Sequence, residues 1–414
     1  MPLPTPQSPP WPRPEGDARF GDRSLFADLG ETVYFNHAAI SPPSSVVQAA
    51  VLAGLKDYAT HGAGAFGASF ATRGRLKAEL ATLLGAEAEA LALTSGTTAG
   101  VQAIAFSLPW TPGDEIVVFD GEFPTNVTTW QQVAGRFDLK VHMLSLDPFA
   151  EASGPDLGQL EATLASGRVK LVAVSAVQFQ TGLSMPLEAM TALCHRYGAA
   201  IFVDVIQGAG VVPLELSRWG VDYLAGGSHK WLMGPEGAGY LYVRPDRLPE
   251  LETVMAGWLS HTNPLGFLLD GPGHLQYDRP IRQSVDLFEG GSAAAVLFAA
   301  LDGAVGLINQ LGVSAIFDHV QRCHDVLEAG LSPMGFASLR APDRARRSGN
   351  LCLLPPEGVD GVQLVKALDA RGLSCALPDG RLRLSPHWPN DTAQCHRAVE
   401  IVGDALTEVT AASR

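Results

Sequence analysis

The sequence predicts an α/β protein, with a large domain built on a mostly parallel central sheet and a small α+β domain at the C-terminus. From about residue 60 to 245, helix-like and strand-like segments alternate, which is the pattern of βα units. A long Ala/Leu-rich helix pattern over residues 292–310 follows, and a second α+β block begins near residue 315. The 414 residues are enough for more than one domain. We therefore predict an N-terminal arm at 1–30, a large domain at 31–310 and a small domain at 311–414.

Short runs of apolar residues give the elements of both domains. In the large domain, residues 74–86 have helical spacing, and the β-branched runs at 115–120, 170–177, 199–205 and 237–243 predict strands. In the small domain, strands are predicted at 337–340, 350–355 and 381–385, alternating with helices at 363–372 and 392–409.

Composition excludes several classes of protein. Hydrophobic residues make up 46% and charged residues 17%, which argues for a compact fold and against disorder. The net charge of −14 argues against a nucleic-acid partner, because such binding needs concentrated Lys and Arg. The longest apolar runs are interrupted by polar residues and fall short of the ~20 residues that a bilayer span needs. We expect neither nucleic-acid binding nor membrane insertion.

The cysteines and the N-terminus indicate the compartment. Five cysteines lie far apart with no C-x-x-C spacing, so neither a metal site nor a disulfide framework is indicated. The Pro-rich N-terminus lacks the apolar core of a secretory signal, and we expect it to form a loose arm. Together these features favour a reducing, cytoplasmic location.

Several common catalytic motifs are absent or misplaced. The G-x-G-x-x-G at residues 62–67 follows a helix-like segment, whereas a dinucleotide-binding loop must follow a strand. No P-loop, H-E-x-x-H or G-x-S-x-G motif occurs in the sequence. These absences argue against a nucleotide hydrolase, a zinc protease and an α/β-hydrolase.

Three segments instead combine into a plausible site. Lys230 lies between an apolar run and a glycine-rich turn, where partial desolvation would make its amine nucleophilic. Asp204 ends a predicted buried strand, and a buried carboxylate needs a cation such as a protonated pyridine nitrogen. Residues 93–100 place glycine and hydroxyl side chains at a predicted helix start, which favours a phosphate. Each alone also fits a loop lysine or a helix cap, but together they match a pyridoxal-phosphate site.

The chain resembles the class V aminotransferase family of fold-type I pyridoxal-phosphate enzymes. That family contains cysteine desulfurases, selenocysteine lyases, isopenicillin-N-epimerase-like proteins and kynureninases. The most specific match runs from Asp204-x-x-Gln207 to Ser228-His229-Lys230. The resemblance implies pyridoxal 5′-phosphate as cofactor, bound covalently by Lys230, with Asp204 at the ring nitrogen. It implies further cofactor contacts from Gly96, Thr97, Thr98, Gln207, Ser228 and His229.

Further segments match the family in chain order. The resemblance places Asn36 and His37 on the substrate side, Phe123 over the cofactor ring and Gln178 at the phenolic oxygen. It also implies that Ser292 reaches the phosphate of a neighbouring subunit, and hence a homodimer with shared active sites. Strand alternation puts Arg381 and Arg383 on one face and does not choose between them. The resemblance selects Arg383 as the residue that binds the substrate's α-carboxylate.

Residues 372–378 resemble the loop that bears the persulfide-forming cysteine of group II desulfurases, with Cys375 as that thiol. This chain departs from the desulfurases in lacking a His pair before the cysteine and in having a short stretch from Cys375 to Arg383. Gly227 also stands where a phosphate-binding Ser is usual, a contact that Ser228 would have to supply, and Phe123 replaces a His.

The expected activity is cleavage of the C–S or C–Se bond of a cysteine-like amino acid, with Lys230, Asp204 and Cys375 as catalytic residues. An aminotransferase or epimerase acting on another amino acid is the alternative within the same family. A non-catalytic dimeric binding module is the third possibility. The joint presence of Lys230, Asp204 and Arg383 counts against it.

Overall fold

The structure is a computed structural model that describes residues 8–151 and 153–412. Its strands are β1 (Val33–Tyr34), β2 (Leu91–Thr94), β3 (Glu115–Phe119), β4 (Lys140–Leu144), β5 (Val169–Ser175), β6 (Ala200–Asp204), β7 (Tyr223–Gly227), β8 (Gly239–Val243), β9 (Ala337–Ser338), β10 (Leu351–Leu354), β11 (Leu373–Ser374) and β12 (Leu382–Leu384). Its α-helices are α1 (Ser45–His61), α2 (Phe66–Leu84), α3 (Thr97–Ser107), α4 (Thr125–Phe137), α5 (Asp147–Ala150), α6 (Gly158–Leu164), α7 (Leu187–Arg196), α8 (Leu216–Trp219), α9 (Gly266–Leu269), α10 (Ala295–Leu311), α11 (Val313–Leu331), α12 (Gly361–Asp369) and α13 (Thr392–Ala412). The predicted arm's residues 1–7, the large domain's residue 152 and the small domain's residues 413–414 lie outside the described residues.

A central sheet organises the large domain. Over the described residues it has seven strands in the order β2–β8–β7–β6–β5–β3–β4. Strand β8 is antiparallel to both neighbours, and every other pair in this sheet is parallel. Every residue of β3, β6, β7 and β8 is buried, as expected for strands covered by helices on both faces. The predicted α/β class with a mostly parallel sheet is confirmed.

The predicted elements of the large domain occur with small shifts. The four predicted strands form β3, β5, β6 and β8, with ends displaced by at most two residues. The helix predicted at 74–86 begins earlier, at Phe66, and ends at Leu84 because Gly85 takes a left-handed φ of 62°. Residues 62–65 form a short turn between α1 and α2, so the G-x-G-x-x-G segment does not follow a strand.

The small domain has its own core. Its sheet has the order β12–β10–β9 with antiparallel pairing, and α11, α12 and α13 pack together beside it. Strand β1 pairs in parallel with β11, and Val33 and Phe35 join this core. The segment around residues 33–35 therefore packs with the small domain, although the sequence assigned everything from residue 31 to the large domain. The pairing of β1 with β11, which lie far apart in the sequence, places this segment with the small domain.

The described part of the N-terminal arm is not loose. Trp11 is buried, and its indole Nε1 donates to Asp57 Oδ2 at 2.6 Å. Arg13 forms a salt bridge of 2.7 Å with Asp302, whose carboxylate is buried in the large domain. The expectation of a loose arm is therefore wrong for residues 11–13. A buried carboxylate requires a cationic partner, and the arm supplies one.

Within the described residues, no single helix is long and apolar enough to cross a membrane. Helices α10 and α11 reach the required length and apolarity only when they are taken together, and the two meet at 77°.

Candidate active site

A cavity of about 610 Å³ opens beside the central sheet, where the parallel strands have their carboxyl ends. Open α/β sheets bind their ligands at this edge. Of the residues predicted from the sequence, those that line the cavity are Gly96, Thr97, Thr98, Phe123, Asp204, Gln207, His229, Lys230 and Arg383. Folding thus brings together side chains from both domains.

Lys230 lies in the loop after β7, and only 9% of the residue is exposed. Its Nζ lies 5.2 Å from the centroid of the Phe123 ring. Burial lowers the pKa of Lys230 to about 8 because the ammonium form loses its hydration, while the nearby Asp204 carboxylate opposes the shift. A substantial fraction of this amine is therefore neutral, and hence nucleophilic, near pH 8.

Asp204 is the last residue of β6 and is 2% exposed. One of its oxygens accepts the backbone N–H of Ile206 at 2.9 Å. Burial raises the pKa of Asp204 to about 7, and the neighbouring Glu122 carboxylate adds to the increase. A cationic ligand beside this carboxylate would be stabilised and would favour its ionised form.

The N-terminus of α3 also lines the cavity. Gly96 precedes the helix with a φ of 152°, a conformation that favours glycine, and no side chain caps the helix. The Thr97 hydroxyl is buried without a hydrogen-bond partner in the described residues. A Cβ on Gly227 would lie 3.1 Å from this oxygen, so glycine leaves space at Thr97. Free helical N–H groups and an unpartnered hydroxyl together suit a phosphate.

Two phenyl rings, those of Phe123 and Phe179, also line the cavity. The rings of Phe123 and Phe179 meet edge to face, with centroids 5.5 Å apart. Phe123 stays 43% exposed, so one face of the ring is free to contact a planar ligand. Beside it, the hydroxyls of Thr98 and Thr125 lie 3.0 Å apart.

Arg383 is 5% exposed and has no acidic partner among the described residues. Its Nη1 donates to the Phe179 carbonyl oxygen at 3.2 Å, and its Nε is buried without a partner. Arg381, which the alternation could not separate from Arg383, instead pairs with Asp379 at 2.8 Å and lines a different cavity. A buried guanidinium with free donors suits a ligand carboxylate.

Hydrogen bonds to the backbone hold the loop that carries Lys230. The Ser41 hydroxyl donates to the Lys230 carbonyl oxygen at 2.6 Å, and His37 Nδ1 lies 2.8 Å from the same hydroxyl. His387 Nε2 donates to the Trp231 carbonyl oxygen at 2.8 Å. His37, expected on the substrate side, does not line the cavity, and it contacts the lysine loop through Ser41.

The two predicted glutamines have protein partners. Gln207 lines the cavity, but its Nε2 donates to the Ala38 carbonyl oxygen at 3.0 Å and its Oε1 accepts from Trp231 Nε1 at 2.9 Å. Gln178 does not line this cavity. Its Nε2 donates to Glu122 Oε1 at 2.9 Å, and the residue lines a second cavity of about 300 Å³. Alternation along the segment after β5 turns Phe179 inward in its place.

Three other predicted residues are not on the cavity wall. Ser228 is fully buried, and its hydroxyl donates to the Pro235 carbonyl oxygen, so it does not replace the missing serine at position 227. Asn36 forms a β-bridge with Ser385, and its Oδ1 is buried without a partner in the described residues. Ser292 is exposed just before α10 and does not line the cavity of its own chain.

Cys375 faces away from the cavity. It packs against the small-domain core, whereas its neighbour Ala376 lines the cavity. Successive residues of an extended segment point to opposite sides, which explains the difference. Burial raises the pKa of the Cys375 thiol to about 12, so the reactive thiolate is scarce at neutral pH. Both observations oppose the expected role as a persulfide-forming nucleophile.

Sequence reasoning missed several residues at the site. Ala39, Ser95, Thr125, Phe179, Glu236 and Ala376 also line the cavity. It also missed Glu122, a buried carboxylate that accepts the Ser175 backbone N–H at 2.7 Å and lies close enough to Asp204 to raise its pKa. Its position shortly after β3, at the sheet edge that carries Asp204, was the available signal.

The residues present fit pyridoxal 5′-phosphate. The unpartnered Thr97 hydroxyl and the α3 N-terminus offer donors to a phosphate, and Asp204 offers an anion to a pyridine nitrogen. Lys230 lies on the same cavity wall with a lowered pKa, and Phe123 presents a free ring face. Phosphate, ring and aldehyde thus each find a complementary group in one cavity.

Comparisons with known proteins agree with this fit. The chain is 28% identical over 329 residues to the uncharacterized aminotransferase YcbU of Bacillus subtilis (strain 168), covering 78% of this chain and 80% of that protein. It is 28% identical over 362 residues to a probable cysteine desulfurase of Chlamydia trachomatis serovar D, and the match covers 85% of this chain and 86% of that protein. It is also 28% identical over 336 residues to isopenicillin N epimerase of Streptomyces clavuligerus, and the match covers 79% of this chain and 83% of that protein.

A solved structure titled as a complex of the cystine C–S lyase C-DES with cysteine persulfide has the same fold, with a TM-score of 0.80 and 24% identity. The match covers 92% of this chain and 99% of that one. The family model for aminotransferase class-V matches residues 33–380. The chain therefore belongs to the aminotransferase class-V family and is an enzyme that uses pyridoxal 5′-phosphate.

Proposed function

We propose that the chain is a lyase that cleaves the C–S or C–Se bond of a cysteine-like amino acid. The observation that carries the proposal is the buried, unpaired guanidinium of Arg383, which shares a cavity with Lys230. An α-amino acid has the matching groups, since its carboxylate pairs with Arg383 while its α-carbon lies toward Lys230. Likeness to a probable cysteine desulfurase and to the fold of a cystine C–S lyase supports sulfur chemistry.

Different lining residues are proposed to bind the phosphate and the ring of the cofactor. Gly96, Thr97 and Thr98 at the start of α3 bind the phosphate, and His229 lies at the same end. Phe123 contacts the ring, and Asp204 keeps a proton on the ring nitrogen. When bound, pyridoxal phosphate withdraws the electrons left at the substrate's α-carbon.

Lys230 carries the proton transfer in this proposal. Its Nζ removes the α-proton, a step for which the neutral amine is needed, and burial supplies that form by lowering its pKa to about 8. Arg383 fixes the carboxylate, so that the α-proton is held toward Nζ. The Ser41 and His387 hydrogen bonds keep the lysine loop in place during the transfer.

Sulfur leaves to an acceptor outside the chain, because Cys375 faces the small-domain core. With an added dithiol, cysteine gives alanine and sulfide while the dithiol is oxidised to its disulfide. Without a reductant, elimination and hydrolysis give sulfide, pyruvate and ammonia. Both outcomes break the C–S bond, and atoms and electrons balance in each.

The test is incubation of the holoenzyme with L-cysteine or L-selenocysteine, with and without dithiothreitol. We expect sulfide or selenide together with alanine or pyruvate, and loss of both products in Lys230→Ala and Arg383→Gln. The proposal fails if cysteine is recovered unchanged while other amino acids yield keto acids or inverted stereochemistry.

That second outcome would favour an aminotransferase or epimerase. One observation speaks for it, because no cysteine is among the described residues that line the cavity. Likeness to an uncharacterized aminotransferase and to isopenicillin N epimerase is in line with this alternative.

A homodimer with shared sites is part of the proposal. Apolar side chains remain exposed on α1 and in the segment before α10, with Leu52 at 66%, Leu269 at 68% and Tyr277 at 85%. Such surface is typical of protein interfaces. Ser292 is exposed and does not line the cavity of its own chain, which leaves it free to serve the cavity of a second copy.

A further inference from the structure

Ala376 lies opposite Arg383, whose guanidinium is proposed to hold the substrate. Its backbone N–H donates to the Arg383 carbonyl oxygen at 3.2 Å, and the Arg383 N–H donates to the Ala376 carbonyl oxygen at 2.8 Å. The two residues form an antiparallel bridge. Residues opposite each other in such a pair point to the same face, with Cβ atoms about 4.5–5.5 Å apart. Both line the cavity, so a carboxylate on Arg383 has the Ala376 methyl group as neighbour.

Phe179 and Pro378 add apolar surface to the cavity that Arg383 lines. The Phe179 carbonyl accepts from Arg383 Nη1, and the Phe179 ring is braced edge to face against Phe123. Pro378 follows Ala376 on the same side of its segment and also lines the cavity. A methyl group, a pyrrolidine ring and a phenyl ring therefore line the same cavity as the guanidinium.

Among the described residues, four other ionisable side chains line the cavity. Lys230 and Asp204 serve the cofactor in the proposed function. His229 lies toward α3, since its Cε1 is 3.7 Å from a Cβ built on Gly227, and Glu236 acts electrostatically on His229. Glu236 is exposed and forms no ion pair with the described residues. Among the described lining residues, no free cation is left to neutralise an acidic side chain of the substrate beside Ala376.

We propose that Ala376 is a specificity-determining residue, which together with Phe179 limits the substrate to amino acids with a small side chain that carries no negative charge. The inference rests on the proposed function only in that Arg383 holds the substrate's carboxylate. A larger residue at 376 fills the space next to the α-carbon, and a smaller one enlarges it.

The test measures binding, not turnover. Glycine, L-2-aminobutyrate, L-norvaline, L-phenylalanine and L-aspartate are titrated into the holoenzyme, and the absorbance change of the bound cofactor gives each Kd. We expect 2-aminobutyrate to bind at least about tenfold more tightly than phenylalanine or aspartate. Ala376→Leu should raise the Kd of norvaline at least about tenfold and that of glycine less than about twofold. Ala376→Gly should lower the Kd of norvaline. Ala337→Leu, at an exposed position of β9 in the same domain, is the matched control and should change none of these values.

The inference is overturned if the wild-type enzyme binds phenylalanine or aspartate as tightly as 2-aminobutyrate. It is also overturned if Ala376→Gly leaves the affinity for norvaline unchanged, a result that does not depend on whether Ala376→Leu folds. Failure of the proposed lyase activity is a separate result, because it appears as absence of sulfide in the cysteine assay while the order of affinities is retained.

Discussion

The buried carboxylate of Asp204 destabilises the protein when the cofactor is not bound. Its pKa in the fold is raised to about 7 from 3.8, so between these values the folded state holds more protons than the unfolded state. The free energy of unfolding therefore falls as pH rises through this window, and the full penalty is present above pH 7.

We expect Asp204→Asn to raise the Tm of the apoenzyme at pH 8 by at least about 2 °C, a gain that shrinks toward pH 4. The holoenzyme of the same variant should lose activity, because the partner of the ring nitrogen is gone. Scanning calorimetry between pH 4 and 8 measures the gain. Asp120→Asn, at an exposed position on the same sheet edge, is the control and should show no such pH-dependent gain.

Cys375 provides a second test at the residue scale. Because it faces the small-domain core and its thiol has a raised pKa, we expect Cys375→Ser to leave sulfide release within about twofold of wild type. Initial rates with L-cysteine and dithiothreitol measure this. A loss of more than about tenfold, with cofactor content unchanged, would return the cysteine to the mechanism.

The element proposed to bind the cofactor's phosphate is α3, and it lies close over the central sheet. A Cβ on Gly100 would lie 2.6 Å from the Cβ of Ala225 in β7. We expect Gly100→Ala to push the start of α3 off the sheet and to weaken pyridoxal-phosphate binding by about tenfold, or about 1.4 kcal/mol. Reconstitution of the apoenzyme, followed by absorbance, gives the affinity.

Gly135→Ala is the matched control for that change. Gly135 lies in α4, and a Cβ there would meet nothing within 4 Å. Removing a helical glycine should stabilise the protein by about 0.5–1 kcal/mol and leave cofactor affinity unchanged. Equal effects of the two substitutions on affinity would contradict the close packing of α3 as the cause.

At the scale of the whole molecule, the shared-site homodimer predicts complementation between two inactive variants. The Lys230→Ala variant lacks the amine in its own cavity. The Ser292→Asp variant repels the cofactor phosphate in the cavity of its partner subunit. After unfolding and co-refolding at equal amounts, about half of the dimers are mixed, and one of their two sites is intact, so about a quarter of wild-type activity should return. Full activity of Ser292→Asp alone, or a monomer by light scattering, would refute the shared site.

Much of this molecule could be predicted from the sequence because the relevant signals are local. Apolar periodicity located β3, β5, β6 and β8 to within two residues, and the glycine and hydroxyl residues at 93–100 correctly marked a helix start beside the cavity. Residues just after buried parallel strands share one sheet edge, which is why Asp204 and Lys230 were grouped correctly.

Which side chain faces the cavity was decided only by the tertiary structure. The choice of Phe179 over Gln178, and of Ala376 over Cys375, depends on one-residue alternation within segments whose orientation is set by distant partners. The Ala376–Arg383 bridge and the pairing of β1 with β11 are such partners. Neighbours in sequence determine the local backbone conformation and the period of its apolar residues. Which side chains face the cavity depends on contacts between segments far apart in the chain, and these contacts cannot be read from the sequence alone.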